Sequence, residues 1–495
     1  MLNTFRNKVI QFTKSKNEAP VLAAIASGLY PLFHYYNSNF TLVNSWQHLL
    51  FFISFFLIIP VILFVSTQFL LKKIKGFQVL KKYIIPILSL WVFAFLIVIS
   101  TYGFRYKVML LALFLATILA VTLVRHFKKI IVFQLILAVL VAVKLVPDLY
   151  KQITYSSAWM DQPDSIESIQ FNKQPNVYVI QPDGYASFSE IQKGYYNFNN
   201  HLFENFLEKK GFKLYPNFRS NYYSTLSSNS SMFAMKHHYF NSPKQGSSEL
   251  FKSREIIVGN NPVVSIFKNN DYKTNLILES SYLLVNRPKI AYDYCNFNLS
   301  EVPYLARGFE HKKNVLKNLE FAMNNGASKN FYFIEKILPG HISTYKNGSD
   351  GKEIERKDYL DNVEKANRWL EEIIELITTK DSNALIVVVA DHAGFVGFEY
   401  TREATHKQTD RDLVYSIFST ALAIKWPLPA SEYDDKLKTN VNLFRVLLSY
   451  LAEDTSYLKD MEEDKSYSVI QQGAPFGVYQ AISPNGEVVF KMISE

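Results

Sequence analysis

At 495 residues the chain is long enough for two or three domains. Its single cysteine, Cys295, excludes an intrachain disulfide and any zinc site built on several thiolates, so a metal here must be held by Asp, Glu, His and Thr or Ser. The net charge of +9 is modest for this length and sits largely in short Lys/Arg clusters between apolar segments, which reports membrane orientation rather than nucleic-acid binding.

Five apolar segments come first, at about Val21–Tyr36, His48–Leu71, Tyr83–Thr101, Val108–Val124 and Ile130–Val146. Most approach the ~20 residues that a helix needs to cross a bilayer; the first is the weakest, being short and carrying His34. A cleavable signal peptide is not expected, since no small-residue cleavage site follows the first segment and four more come after it. Arg6, Lys8, Lys14 and Lys16 precede the first span, and the link Asn37–Gln47 has no charge. Lys72, Lys73, Lys75, Lys81 and Lys82 fill the next link, and Arg125, Lys128 and Lys129 the last; only Arg105 and Lys107 oppose the alternation. The positive-inside rule predicts a cytoplasmic N-terminus, and an odd number of spans puts everything after about Pro147 outside. No run of intramembrane acids suggests a proton or ion pathway.

Residues 148–175 read as a polar, irregular linker, and 176–495 as a separate domain. That domain opens on a strand, Asn176–Pro182, that delivers Asp183-Gly184 at its end. A helix is predicted over Phe203–Lys210, stopped by Gly211, and a strand over Phe212–Phe218. The hydroxyl-rich stretch from Arg219 to Met235 fits a loop entering a helix N-terminus, where backbone N–H groups and the dipole favour an anion; plain N-capping by Ser or Thr reads it as well. A helix over Pro262–Asp271, a strand over Lys273–Glu279 and a helix over Lys312–Asn325 follow. The apolar strand Asn330–Ile337 ends in Leu338-Pro-Gly-His341, and the long amphipathic helix Tyr359–Thr379 feeds the run Ala384–Ala390. That run, small and β-branched throughout, reads as a central strand buried on both faces, and it stops at Asp391-His392. A strand over Thr420–Trp426, a helix over Val441–Ala452 and a hairpin of Val478–Ile482 with Glu487–Ile493 complete the chain. Strands alternating with helices argue for an α/β fold with a mostly parallel sheet.

Open α/β sheets place ligand groups at strand ends. Here three strand ends supply Asp183, His341 and Asp391/His392, and a helix entrance supplies Thr225. Two carboxylates, a hydroxyl and an imidazole make a four-ligand set for one divalent ion, zinc or manganese first, with calcium and magnesium as further candidates. A metal-bound hydroxyl loses its proton more readily, which makes Thr225 a candidate nucleophile. His341 and His406 are candidates for contacting substrate oxygens, although singly each reads as well as a surface or packing residue.

On these residues the chain resembles the alkaline-phosphatase/sulfatase superfamily. In particular it resembles the membrane-anchored branch that holds lipoteichoic acid synthases, lipid A phosphoethanolamine transferases and sulfatase-like relatives. Those proteins have five spans followed by an extracytoplasmic catalytic domain. Their acidic ligand at the first strand end is matched by Asp183, and their threonine ligand and nucleophile by Thr225. Their Asp-His-Gly strand end is matched by Asp391-His392 with Ala393 in place of the glycine, and their two substrate histidines by His341 and His406. Thr439–Leu448 is similar to the relatives' late helix. The departures bear on the substrate. Thr225 is followed by Leu226-Ser227-Ser228-Asn229, without the Pro and Arg of sulfatases. Ile337 stands where two-zinc phosphodiesterases have an Asp. One cysteine cannot form the disulfides usual in phosphoethanolamine transferases, and lipoteichoic acid synthases have Glu at the first ligand. The resemblance implies a phosphotransferase of the bacterial cytoplasmic membrane with a phospholipid donor and a lipid or glycan acceptor. A hydrolase of sulfatase or phosphodiesterase type, with the same site, is the alternative.

Overall fold

The computed structural model describes all residues except 1, 16, 17, 74, 75, 77, 242, 244, 247, 248, 494 and 495. Two of the flanking charges, Lys16 and Lys75, therefore lie outside the described residues. The chain divides into two compact units, Met1–Ser156 and Ser157–Glu495.

The first unit is helical throughout. Three helices, Trp46–Lys73, Leu80–Tyr102 and Val124–Thr154, are long and apolar enough to cross a membrane, and Tyr106–Thr122 is a shorter apolar helix. Pro20–Val43 has the length but a lower apolar content, and it takes an inner position: Ala23, Ala24, Ala26 and Ser27 are fully buried. Small residues allow the close approach. A Cβ on Gly28 would stand 1.8 Å from the Phe56 carbonyl oxygen, and Ser27 bonds Ser89 of a neighbouring helix at 2.9 Å. The outward faces are apolar, with Leu110, Phe114, Val139 and Val143 all more than half exposed, as suits a surface covered by lipid. A short helix over Leu2–Lys14 precedes these; the sequence reading did not anticipate it.

The segment read as a linker is divided between the units. Its first residues extend the last apolar helix to Thr154. From Ser157 it belongs to the second unit, where Ile166, Ile169 and Phe171 are buried and Asp164 pairs with the buried Arg445 at 2.6 Å.

In the second unit the strands are β1 Val177–Pro182, β2 Lys213–Leu214, β3 Lys273–Leu278, β4 Tyr294–Cys295, β5 Asn330–Lys336, β6 Leu385–Val389, β7 Leu422–Lys425, β8 Ser466–Ile470, β9 Gly477–Ile482 and β10 Val488–Met492. The first seven form one mixed sheet in the order β2-β7-β6-β1-β5-β3-β4. Five of them, β6 to β4 in that order, run parallel, while β7 and β2 close one edge with antiparallel pairings. β8 to β10 make a separate antiparallel sheet; its hairpin was legible in the sequence and β8 was not.

Apolar alternation on β1, β5 and β6 feeds two cores. Tyr178, Ile180, Tyr332 and Ile334 face the long helix Lys352–Lys380, whereas Val177, Val179, Phe331 and Phe333 face the helices Thr225–Ala234 and Asn440–Ala452. Phe233 meets Phe333 edge-on, with ring centroids 4.9 Å apart, and packs on Phe444 at 5.1 Å. These contacts anchor the last turn of the Thr225 helix against β5 and the Asn440–Ala452 helix. Cys295, on edge strand β4, is free, and burial pushes its thiol up to about 11, leaving it an inert thiol at neutral pH.

Candidate metal centre and cavity

Thr225 is the first residue of its helix. Ser224, with extended backbone, caps it by accepting from the Ser227 N–H. The Thr225 hydroxyl donates to Asp183 Oδ2 at 3.0 Å and lies 3.2 Å from His392 Nε2. His392 Nδ1 donates to the Ala393 carbonyl at 2.8 Å. In the neutral ring this leaves the lone pair on Nε2, turned toward Asp391 Oδ2 at 3.4 Å and Asp183 Oδ1 at 4.0 Å. The structure thus brings four of the sequence-predicted residues, Asp183, Thr225, Asp391 and His392, to one point, and all are buried.

The strand ends are held in register by backbone and amide contacts. Gly184 N–H donates to Asp391 Oδ1 at 3.2 Å. The Asn440 amide donates to Ser228 Oγ at 3.0 Å and to the carbonyls of Ala390 and Asp391, both at 3.2 Å. Asp183 N–H donates to the Lys336 carbonyl at 3.0 Å, and Gly340 N–H to the Asp183 carbonyl at 2.8 Å. Gly184, at φ +75°, lies so close to this turn that a Cβ would stand 2.0 Å from the Gly340 oxygen.

The donor set fits a divalent ion. Asp183, Asp391 and His392 each offer a ligand atom within 4.8 Å of the others, and ligands on a tetrahedral zinc are roughly 3.4 Å apart. Asp391 Oδ2 is buried without a hydrogen-bond partner, an uncompensated acceptor that a cation would satisfy. The titration directions agree. Burial and then the Asp183 charge push Asp391 up to about 6. Burial likewise raises Asp183, with His392 and Thr225 opposing. In His392 burial disfavours the charged ring, but Asp391 and Asp183 together outweigh it and raise the pKa.

A cavity of about 500 Å³ opens above Thr225 and reaches Asp183, His392 and His341. Its outer wall carries Arg307 and Arg402, and the Arg402 guanidinium lies over the Tyr345 ring at 4.4 Å. His341 is exposed to this space, with its ring centroid 5.8 Å from that of His392. Its Nδ1 donates to the Ile342 carbonyl at 2.6 Å. The surrounding protein and His392 lower its pKa, so the ring is neutral near pH 7, with Nε2 unprotonated.

His406 stands apart. It does not border this cavity, although its neighbour Thr405 does. Its backbone bridges to Gln472 beside β8, and the residue borders a separate small cavity with Val414, Phe418 and Tyr479. The pairing with the second sheet draws it away from the strand ends.

Sequence reasoning passed over Glu335. It is 1% exposed on β5, beside Gln181 on the same sheet face, and neither side chain has a hydrogen-bond partner. Burial, followed by Asp183, Asp391 and Glu279, raises its pKa well above the carboxylate range, so it is a neutral acid beneath the site. A lone Glu directly after the apolar run Phe331–Ile334 was the available signal. Arg307, in irregular backbone, and Arg402, in the short 3-10 helix Thr401–Thr405, gave none, because no motif surrounds either.

No protein-family model matches the sequence, and no curated protein matches it. Solved structures do. The chain is similar to the C-terminal periplasmic domain of EcEptC from Escherichia coli, at 13% identity and TM-score 0.43 over 62% of this chain and 93% of that one. It is similar to the integral membrane lipooligosaccharide phosphoethanolamine transferase A (EptA) of Neisseria meningitidis, at 12% identity and TM-score 0.39 over 88% and 96%. A third is the lipoteichoic acid synthase LtaP of Listeria monocytogenes, at 12% identity and TM-score 0.41 over 67% and 91%.

Proposed function

We propose that this protein is a membrane-anchored, metal-dependent phosphotransferase that moves a phospholipid-derived head group to an outer-leaflet lipid or cell-surface glycan. The observation that carries this reading is the Thr225 hydroxyl, which is held at a helix N-terminus between Asp183 and His392 and faces a cavity whose lining includes Arg307 and Arg402 as well as Glu249. In this reading residues 1–147 anchor the chain by five spans in a bacterial cytoplasmic membrane with the N-terminus inside, 148–175 lead out of it, and 176–495 act on the outer side.

Asp183, Asp391, His392 and Thr225 would hold the ion, zinc or manganese by donor type. When bound, such an ion lowers the pKa of a coordinated hydroxyl and neutralises phosphoryl charge. Thr225 Oγ attacks the donor phosphorus, a bond from phosphorus to Thr225 forms, and the bond to the diacylglycerol oxygen breaks, that oxygen taking up a proton. An acceptor hydroxyl then attacks the phospho-threonine, gives up its proton and frees Thr225. The helix N-terminus and the cavity arginines favour the anionic group during both displacements. His341 Nε2, unprotonated, would accept the proton of the incoming hydroxyl.

Mass spectrometry of the full chain after incubation with phosphatidylethanolamine or phosphatidylglycerol tests this. A phosphorus-bearing adduct on Thr225 is expected. Absence of the adduct, with transfer persisting in Thr225→Ala, overturns it. Free head group without a modified acceptor identifies the hydrolase alternative.

A further inference from the structure

A second cavity lies in the first unit, remote in sequence from the residues of the metal centre. It has a volume of about 630 Å³ and sits at one end of the helical bundle. Four cations border it: Lys81, Lys82, Arg125 and Lys128, with Glu18 as the one carboxylate among its lining residues. Glu18 already accepts from the Gln68 amide at 2.6 Å. Lys128 is fixed by the Ser15 carbonyl at 2.7 Å, and Lys82 lies over the Tyr83 ring at 4.8 Å. Neither Lys82 nor Arg125 forms an ion pair among the described residues.

Below this basic rim the walls are apolar, made by Ile85, Val121 and Ile131. The rim residues flank helix ends: Lys81 and Lys82 start Leu80–Tyr102, Arg125 lies between Tyr106–Thr122 and Phe127–Thr154, and Lys128 is in the first turn of the latter. Cations at the ends of apolar helices, over the apolar side chains of the next turn of those helices, match one end of a phospholipid, with charge at the interface and the start of the acyl chains beneath. A free phosphate would match the rim and not the walls. The last helix starts at this end and runs 28 residues, about 42 Å at 1.5 Å per residue, before the chain leaves the bundle. The cavity therefore marks the bundle end opposite to the exit, the side to which the basic links assign the cytoplasm.

We infer that this cavity is a binding site for one anionic phospholipid of the leaflet opposite to the catalytic side, separate from any donor. The inference stands whether or not the chain transfers phosphoryl groups. Native mass spectrometry of the detergent-solubilised full chain, titrated with dioleoyl phosphatidylglycerol or dioleoyl phosphatidylcholine, tests it. Retention of one phosphatidylglycerol at least about tenfold over phosphatidylcholine is expected. The double variant Lys82→Gln/Arg125→Gln brings retention down to the phosphatidylcholine level, and each single variant gives an intermediate value. Arg105→Gln/Lys107→Gln removes equal charge from the other end of Tyr106–Thr122 and leaves retention unchanged. A phosphatidylglycerol that survives Lys82→Gln/Arg125→Gln is bound elsewhere, including the Thr225 cavity, and overturns the inference. So do equal retention of the two lipids, an equal loss in the Arg105/Lys107 variant, or displacement of the lipid by inorganic phosphate at the same concentration.

Discussion

The two units obey opposite rules of burial. In the first, Ala23, Ala24, Ala26 and Ser27 pack inward while Leu110, Phe114 and Val139 face out; in the second, Val179, Phe333 and Val387 are sealed inside. The same amino-acid alphabet has been solved for two solvents. In a hydrocarbon surround, close helix approach and hydrogen bonds such as Ser27 to Ser89 hold the bundle, whereas in water apolar burial does. Polar groups consequently mean different things in the two places. In the second unit a dense buried polar set at the strand ends is the candidate metal centre; in the first, the charges gather at the helix ends.

The two units should therefore respond differently to substitution and pH. The largest effect is expected at the buried set: Thr225→Ala should lower head-group transfer at least about a thousandfold with an unchanged unfolding temperature, and transfer within tenfold of the parent would remove the nucleophile. Next come paired substitutions that place the same charge on equally open apolar positions. Val139, 62% exposed in the first unit, and Leu202, 90% exposed in the second, look alike by accessibility. Val139→Arg should cost about 2.5–3.5 kcal/mol of membrane insertion, while Leu202→Arg should change stability by less than about 0.5 kcal/mol. Insertion assays on both variants check this, and equal outcomes would mean that the outer face of the bundle does not meet lipid.

A smaller effect is the pH dependence of metal binding. Asp391 is shifted up to about 6 and His392 is raised as well, and a cation must displace their protons. Affinity for zinc should fall about tenfold per pH unit, for each proton displaced, as pH drops below about 6. Without metal the sign reverses. A carboxyl whose folded pKa is raised contributes stability that is full below its unfolded value and is lost as pH rises through about 6. The gap between metal-loaded and metal-free unfolding temperatures should therefore widen from pH 5 to pH 7.5, and a constant gap would remove Asp391 and His392 as ligands. The smallest effect is expected at His406, where substitution by Gln should change kcat/KM by less than about twofold, against about a hundredfold for His341→Gln. Comparable losses would return His406 to the cavity.

Much of this was readable in the chain because the relevant signals are local. Apolar runs mark the helices of the first unit, and an apolar strand that ends abruptly in an acid marks Asp183 and Asp391. Thr225 was legible as a helix entrance because hydroxyl residues precede an apolar face. What escaped depends on pairing between distant segments. The antiparallel edge formed by β7 and β2, the β8 strand and the displacement of His406 toward Gln472 are all set by register, which hydropathy does not carry. The Lys352–Lys380 helix starts seven residues before the predicted Tyr359, because its first turns, Lys352, Glu353, Glu355, Arg356 and Lys357, are charged and show no apolar period. Glu335 was hidden by its surroundings, since a single acid in an apolar strand does not announce which face it takes.

The contact of Gly184 with Gly340 makes the segment carrying His341 and the backbone of Asp183 a single mechanical part. A swing of the His341 turn would therefore carry the backbone of Asp183, a candidate metal ligand, with it. The Arg402 side of the cavity belongs to the same part: Thr401 N–H donates to the Ser343 carbonyl at 2.9 Å, and the Arg402 guanidinium lies over the Tyr345 ring at 4.4 Å with a 3.2 Å hydrogen bond to its phenol.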